Sequence, residues 1–171
     1  LIQGVQRVWK TRHGEILSSA DEVTMALQKS SAESSAGELP GREACHAAYE
    51  ALAAQFDKSN GGFGAAPKFP SPHYFLFLLR YGKRTGEAKA LEMVEKSLAA
   101  MRRGGIFDHL GYGFHRYSTD ARWRLPHFEK MLYDQAMLSM ACLEAYQATG
   151  KSLYADTARE IFTYVLRDLK A

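Results

Sequence analysis

Between Gly104 and Ala136 the chain reads GGIFDHLGYGFHRYSTDARWRLPHFEKMLYDQA, and this segment gathers the side chains best suited to moving protons and holding polar ligands. Histidine can act as acid or base near neutral pH, which makes His109, His115 and His127 candidates for general acid–base work. Asp108, Glu129 and Asp134 add carboxylates that could serve glycosidic or proton-transfer chemistry if their separation allows. Arg116 and Arg122 can clamp a carboxylate or phosphate with two parallel N–H donors. Tyr117 and Trp123 offer flat faces on which a sugar ring could stack, and Tyr133 shares a helix face with Glu129. A second segment, GGFGAAPKFPSP from Gly61 to Pro72, is stiffened by Pro67, Pro70 and Pro72 and displays Lys68 beside Phe69 as a possible ligand contact. No Gly-Lys-Ser/Thr sequence follows its glycines, so it is not a phosphate-cradling loop. His109, His115, His127 and Glu129 match no zinc-ligand spacing, and neither metal nor cofactor is expected. Each of these residues also has a structural alternative, a polar network that only ties the loops together.

Helices must carry these loops. Apolar residues recur at helical spacing in five segments: about 42–56, 72–83, 87–103, 126–149 and 152–169. No strand is expected. Pro126 at a first-turn position predicts that the fourth helix opens there, placing His127, Met131, Asp134 and Leu138 on one face. The second and fourth segments are apolar nearly all round, and the third and fifth are amphipathic. That alternation predicts inner helices wrapped by outer ones. Long connections, 57–71 and 104–125, alternate with short ones, so both long connections must fall at the same end of the assembly. Long ordered loops tend to be functional. Phe56-Asp57 before GGFG, and Phe107-Asp108 before GYGF, suggest a repeat of about fifty residues, one helical hairpin per unit.

Ahead of these helices, residues 1–29 read as a long amphipathic helix, with Gly14 as a possible interruption and Ser19 with Glu22 as a possible capping box. The serine-rich stretch 30–41 reads as a flexible linker and domain boundary.

Composition narrows the functional classes. A net charge of +3 over 171 residues, with no basic run, argues against nucleic acid. The densest apolar patch, Tyr74 to Leu79, is too short to span a bilayer. Cys45 and Cys142 lie far apart within helical patterns and read as free thiols in a reducing cytoplasm.

The two glycine-rich segments together resemble the YyaL-like family, which includes spermatogenesis-associated protein 20, most clearly from Phe56 to Leu138. The resemblance implies an all-α fold, a partial (α/α)6 toroid spanning residues 42–171 and akin to six-hairpin glycosidases and N-acylglucosamine 2-epimerases. It also implies that residues 1–29 are the tail of an upstream thioredoxin-like domain; no Cys-x-x-Cys motif occurs in this chain. Tyr112 departs from the family pattern, which has glycine there.

Three functions compete. One is acid–base chemistry on a sugar-like small molecule, another is a binding module serving the thioredoxin-like domain, and the third is a purely structural helical domain with an internally bonded polar cluster. A ring lacking half its hairpins is expected to be inactive in isolation and to self-associate through exposed apolar helices.

Overall fold

The computed structural model describes residues 2–32 and 40–170. Two units separate at Pro40, and they are described individually. In the first, α1 (Ile2–Thr11) and α2 (His13–Ala32) meet at a break on Arg12, with Gly14 inside α2. Ser19 and Glu22 both lie inside α2, so they form no cap. The expected linker falls mostly on residues 33–39, outside the described set.

The second unit holds α3 (Arg42–Gln55), α4 (Pro72–Thr85), α5 (Ala88–Arg103), α6 (Leu132–Thr149) and α7 (Ser152–Tyr164), with a π-turn over Val165–Leu169. Sequence explains the boundaries. Proline opens α4, and left-handed glycines at 86 and 150 terminate α4 and α6 with the N–H of each bonded back into the last turn. α4 packs against both α5 and α6, and α6 packs most extensively on α7. Hence α4 and α6 form the inner pair, with α5 and α7 outside it. Phe75 and Leu78 of α4, Met93 and Val94 of α5, Leu138 and Ala141 of α6, and Ile161 of α7 fill one continuous core. This is an all-α arrangement of helical hairpins, as the alternation of burial predicts. Cys142 lies in that core, where burial pushes its thiol up to about 12, and both cysteines are free.

Two expectations fail at the start of the fourth helix. α6 begins at Leu132, six residues later than Pro126 suggests. The intervening residues instead supply a strand: β1 (Tyr117–Ser118) pairs antiparallel with β2 (Pro126–His127). Pro126 stands on a two-residue edge strand, a place where its missing N–H costs no ladder bond. His127 therefore lies on a strand and Glu129 in the connection after it, and neither shares a helix face with Asp134.

Among the described residues, no helix is long and apolar enough to cross a membrane.

Candidate functional site

The long connections 56–71 and 104–131 interlock at one end of the helices. Lys68 and Ser118 exchange backbone hydrogen bonds of 2.8 and 2.9 Å. The Lys68 side chain is wholly buried, and its Nζ donates to Asp57 Oδ2 at 2.7 Å, Gly61 O at 2.9 Å and Ala121 O at 3.1 Å. It lies over the Trp123 ring, itself fully buried, whose Nε1 donates to Asn60 O at 3.0 Å. A Cβ on Gly62, whose φ is +78°, would overlap that indole, so glycine is required there on both counts. The sequence suggested that Lys68 is displayed and Trp123 available for stacking. Both are instead enclosed, because an ammonium with three acceptors and an indole with its N–H satisfied can be buried without leaving an unpaired polar group.

Each connection also closes on itself, by the same device. Asp57 Oδ1 accepts from the N–H groups of Ser59 and Asn60, and Asp108 Oδ1 accepts from those of Leu110 and Gly111. Lys68 grips the second oxygen of Asp57, and Lys130 Nζ grips Asp108 Oδ2 at 2.7 Å while also donating to Tyr112 O. Phe56 bridges to Phe63, and Phe107 to Phe114. Burial alone would raise both carboxyls, but the lysine and backbone donors prevail and hold them well below the usual carboxylate range. The faint repeat in sequence is thus a duplicated loop closure. Tyr112 sits at φ +65°, a left-handed conformation that glycine adopts with less strain. His109 pairs with Arg102 Nη1 at 3.1 Å and Gly104 O at 3.2 Å, and Arg102 in turn pairs with Glu160 of α7. Asp108 and His109 therefore serve the loop and its outer helices.

The remaining polar groups meet on the β1–β2 pair. The Tyr117 and His127 rings stack at 4.9 Å and 15°, and Phe69 from the other connection lies 4.9 Å from Tyr117. Glu129 Oε2 accepts from Arg116 Nη1 at 2.9 Å and stands 3.8 Å from His127 Nδ1. Tyr133, in the first turn of α6, lies near the same guanidinium and interacts with it electrostatically. Half of the His127 side chain and 41% of Glu129 are exposed, so this cluster opens to solvent. A fully buried, mutually bonded network of His127, Glu129 and Asp134, the structural alternative, is not what forms. Arg122 is exposed, with its backbone N–H bonded to Asp120.

Two buried groups flank the cluster, and neither side chain hydrogen-bonds another described residue. His115 Nδ1 has no hydrogen-bond partner, and the ring meets Phe128 edge-on at 5.2 Å. Burial, aided by Lys130, lowers its pKa and favours the neutral imidazole. Asp134 is 91% buried, and burial pushes its carboxyl up to about 6 against the opposing pull of Arg116. A carboxyl raised on folding binds its proton more tightly in the native state, so the contribution of Asp134 to stability is most favourable at acid pH and is lost as pH rises from about 4 through 6. Asp134→Asn is therefore expected to stabilise the protein at pH 7, by on the order of 2 kcal/mol, and to leave it unchanged near pH 4. Urea unfolding at the two pH values checks this; equal effects at both would refute it.

Sequence reasoning missed Asp57, Lys130 and Gln135. The Gln135 amide bonds both the N–H and the C=O of Phe114, seating the second connection on α6. The Phe-Asp repeat signalled Asp57; nothing local marked the other two. Among the described residues, no group of three or more His, Cys, Asp or Glu side chains could hold a metal ion.

No family model matches the chain. Spermatogenesis-associated protein 20 of Homo sapiens is 42% identical over 173 residues, covering 96% of this chain and 22% of that protein. The Mus musculus protein of the same name is 43% identical over 169 residues. An uncharacterized protein of Caenorhabditis elegans is 34% identical over 156 residues. This chain spans about a fifth of the length of these relatives. Among solved structures, a sugar epimerase from a ruminal bacterium superposes with a TM-score of 0.63 at 16% identity, over 70% of this chain and 34% of that one. Cellobiose 2-epimerase from Bacillus thermoamylovorans gives 0.57 at 19% identity, over 68% of this chain and 33% of that one. At such identities the likeness establishes the fold, a sector of a helical-hairpin toroid. At 42–43% identity over nearly its whole length, the chain belongs to the spermatogenesis-associated protein 20 family.

Proposed function

We propose that the full-length protein acts on a carbohydrate or related polyol by acid–base chemistry of the epimerase or glycosidase kind, with this chain supplying one sector of the active-site rim. The observation that carries this reading is the solvent-open stack of Phe69, Tyr117 and His127 beside the Glu129–Arg116 pair. An aromatic platform takes the apolar face of a sugar ring, while a carboxylate, an imidazole and a guanidinium at its edge can accept, relay and stabilise charge at hydroxyls. Glu129 and His127 exchange the proton in this reading, Arg116 orients Glu129, Tyr133 contacts the substrate beside them, and the protonated fraction of Asp134 serves as a reserve acid. An upstream thioredoxin-like domain, joined through residues 1–29, belongs to the same proposal.

The test is incubation of the full-length protein with a panel of aldoses, ketoses and disaccharides in deuterated water. Proton NMR would follow epimer formation, bond cleavage or solvent exchange at ring carbons. Turnover of at least one sugar is expected. Tyr117→Ala should raise KM about tenfold with little change in kcat, because the platform binds ground state and transition state alike. Absence of turnover across the panel, or a Tyr117→Ala protein with unaltered KM, would overturn the reading.

A further inference from the structure

One stripe of α4 carries both of its arginines and its histidine. His73, Phe77, Arg80 and Arg84 recur at i, i+4, i+7 and i+11 on the face opposite its fully buried Phe75 and Leu78. α3 runs alongside, and between the two helices lies a cavity of about 720 Å³. Arg42, Cys45 and His46 of α3 line its other side. Three arginines and two histidines thus face one space, and no carboxylate lines it.

Partial neutralisation does not remove this charge. Arg80 is paired with Glu144 of α6 at 2.6 Å, whereas Arg42 and Arg84 have no ion-pair partner among the described residues. Helix dipoles explain only part of it. A cation in the last turn of α4 is favoured, which accounts for Arg84 beside Lys83. Arg42 occupies the first turn of α3, where a positive charge is repelled. The floor is aromatic: Tyr81 stacks on Tyr49 at 4.6 Å, and its hydroxyl lies 2.9 Å from His46 Nδ1.

We infer that this cavity binds a sugar bearing an oxyanion, either a phosphate ester or a sugar carboxylate, with the anion held by Arg42 and Arg84 and the ring against Phe77 and Tyr81. Guanidinium groups suit a fork-like grip on either oxyanion, and the open aromatic faces suit the ring. The sugar part of the assignment rests on the proposed carbohydrate function; the anion part rests on the lining of the cavity alone.

Calorimetric titration of the full-length protein with glucose 6-phosphate, glucuronate, glucose and inorganic phosphate tests it. At least one of the two charged sugars is expected to bind ten times or more tightly than glucose, and more tightly than inorganic phosphate. The stronger of the two identifies the oxyanion. Arg42→Gln and Arg84→Gln, both at exposed positions, should each weaken that binding about tenfold, while Lys83→Gln, one residue away and outside the cavity, should not. Glucose binding as well as its charged forms, or Lys83→Gln weakening binding as much as Arg84→Gln, would overturn the site. Inorganic phosphate binding as tightly as the charged sugars would overturn its assignment to a sugar. The wild-type comparison needs no variant to fold. Binding of a charged sugar without turnover would leave this site standing and sink the catalytic reading; turnover of neutral sugars with no preference for charge would do the reverse.

Discussion

Lys68→Met is expected to destabilise the hairpin unit by about 3–5 kcal/mol, because it leaves the Asp57 carboxylate in a part-buried site with its main counter-charge gone. The same substitution frees Gly61 O and Ala121 O, which lose their donor. Circular-dichroism-monitored urea unfolding measures the loss. Adding Asp57→Asn to Lys68→Met should recover part of it, since an apolar side chain facing a neutral amide strands no charge; the pair of single variants and the double variant form a coupling cycle. A pH dependence separates this account from simple loss of packing. Asp57 titrates lower in the folded protein than in the unfolded chain, so its stabilisation is complete above about pH 4 and is lost as pH falls further into the acid range. In Lys68→Met the acid loss attributable to Asp57 should shrink. A variant as stable as wild type would show that the interlocked connections are held by other contacts.

Glu129→Gln in the full-length protein is expected to lower kcat by about 10²–10⁴ with intact folding. The substitution keeps an oxygen for Arg116 and removes the group that can carry a proton, and the side chain is 41% exposed, so no buried charge is stranded. Substrate KM should move little, because the ring platform is untouched. Wild-type turnover in this variant would remove Glu129 from the chemistry and shift attention to Asp134, whose raised pKa of about 6 would then appear as a limb in the pH–rate profile.

The helices were legible because burial writes itself as periodicity. The apolar runs at Tyr74–Leu79 and Met137–Leu143 place α4 and α6 inside, and Gly86, Gly104 and Gly150 mark helix ends. The meeting of the two long connections followed from counting loop lengths. The strand pair did not, because two-residue strands carry no period and proline at 126 imitates a helix start. Side-chain roles within the loops were legible only as composition. Lys68 reads in sequence as displayed on a stiff loop and His127 as set on a helix face, yet one is sealed under Trp123 and the other stacks in the open on Tyr117. That difference is set by contacts fifty or more residues away, such as Trp123 Nε1 to Asn60 O, which local pattern does not encode.

The twofold occurrence of the aspartate–lysine closure has a consequence for the order of events as the chain leaves the ribosome. Lys68 reaches its aspartate across 11 residues, and Lys130 reaches its own across 22, so each clasp can fasten before distant parts of the molecule exist. Covering the first clasp with Trp123, by contrast, joins residues 63 apart, so it needs the second connection to have been made as far as that indole.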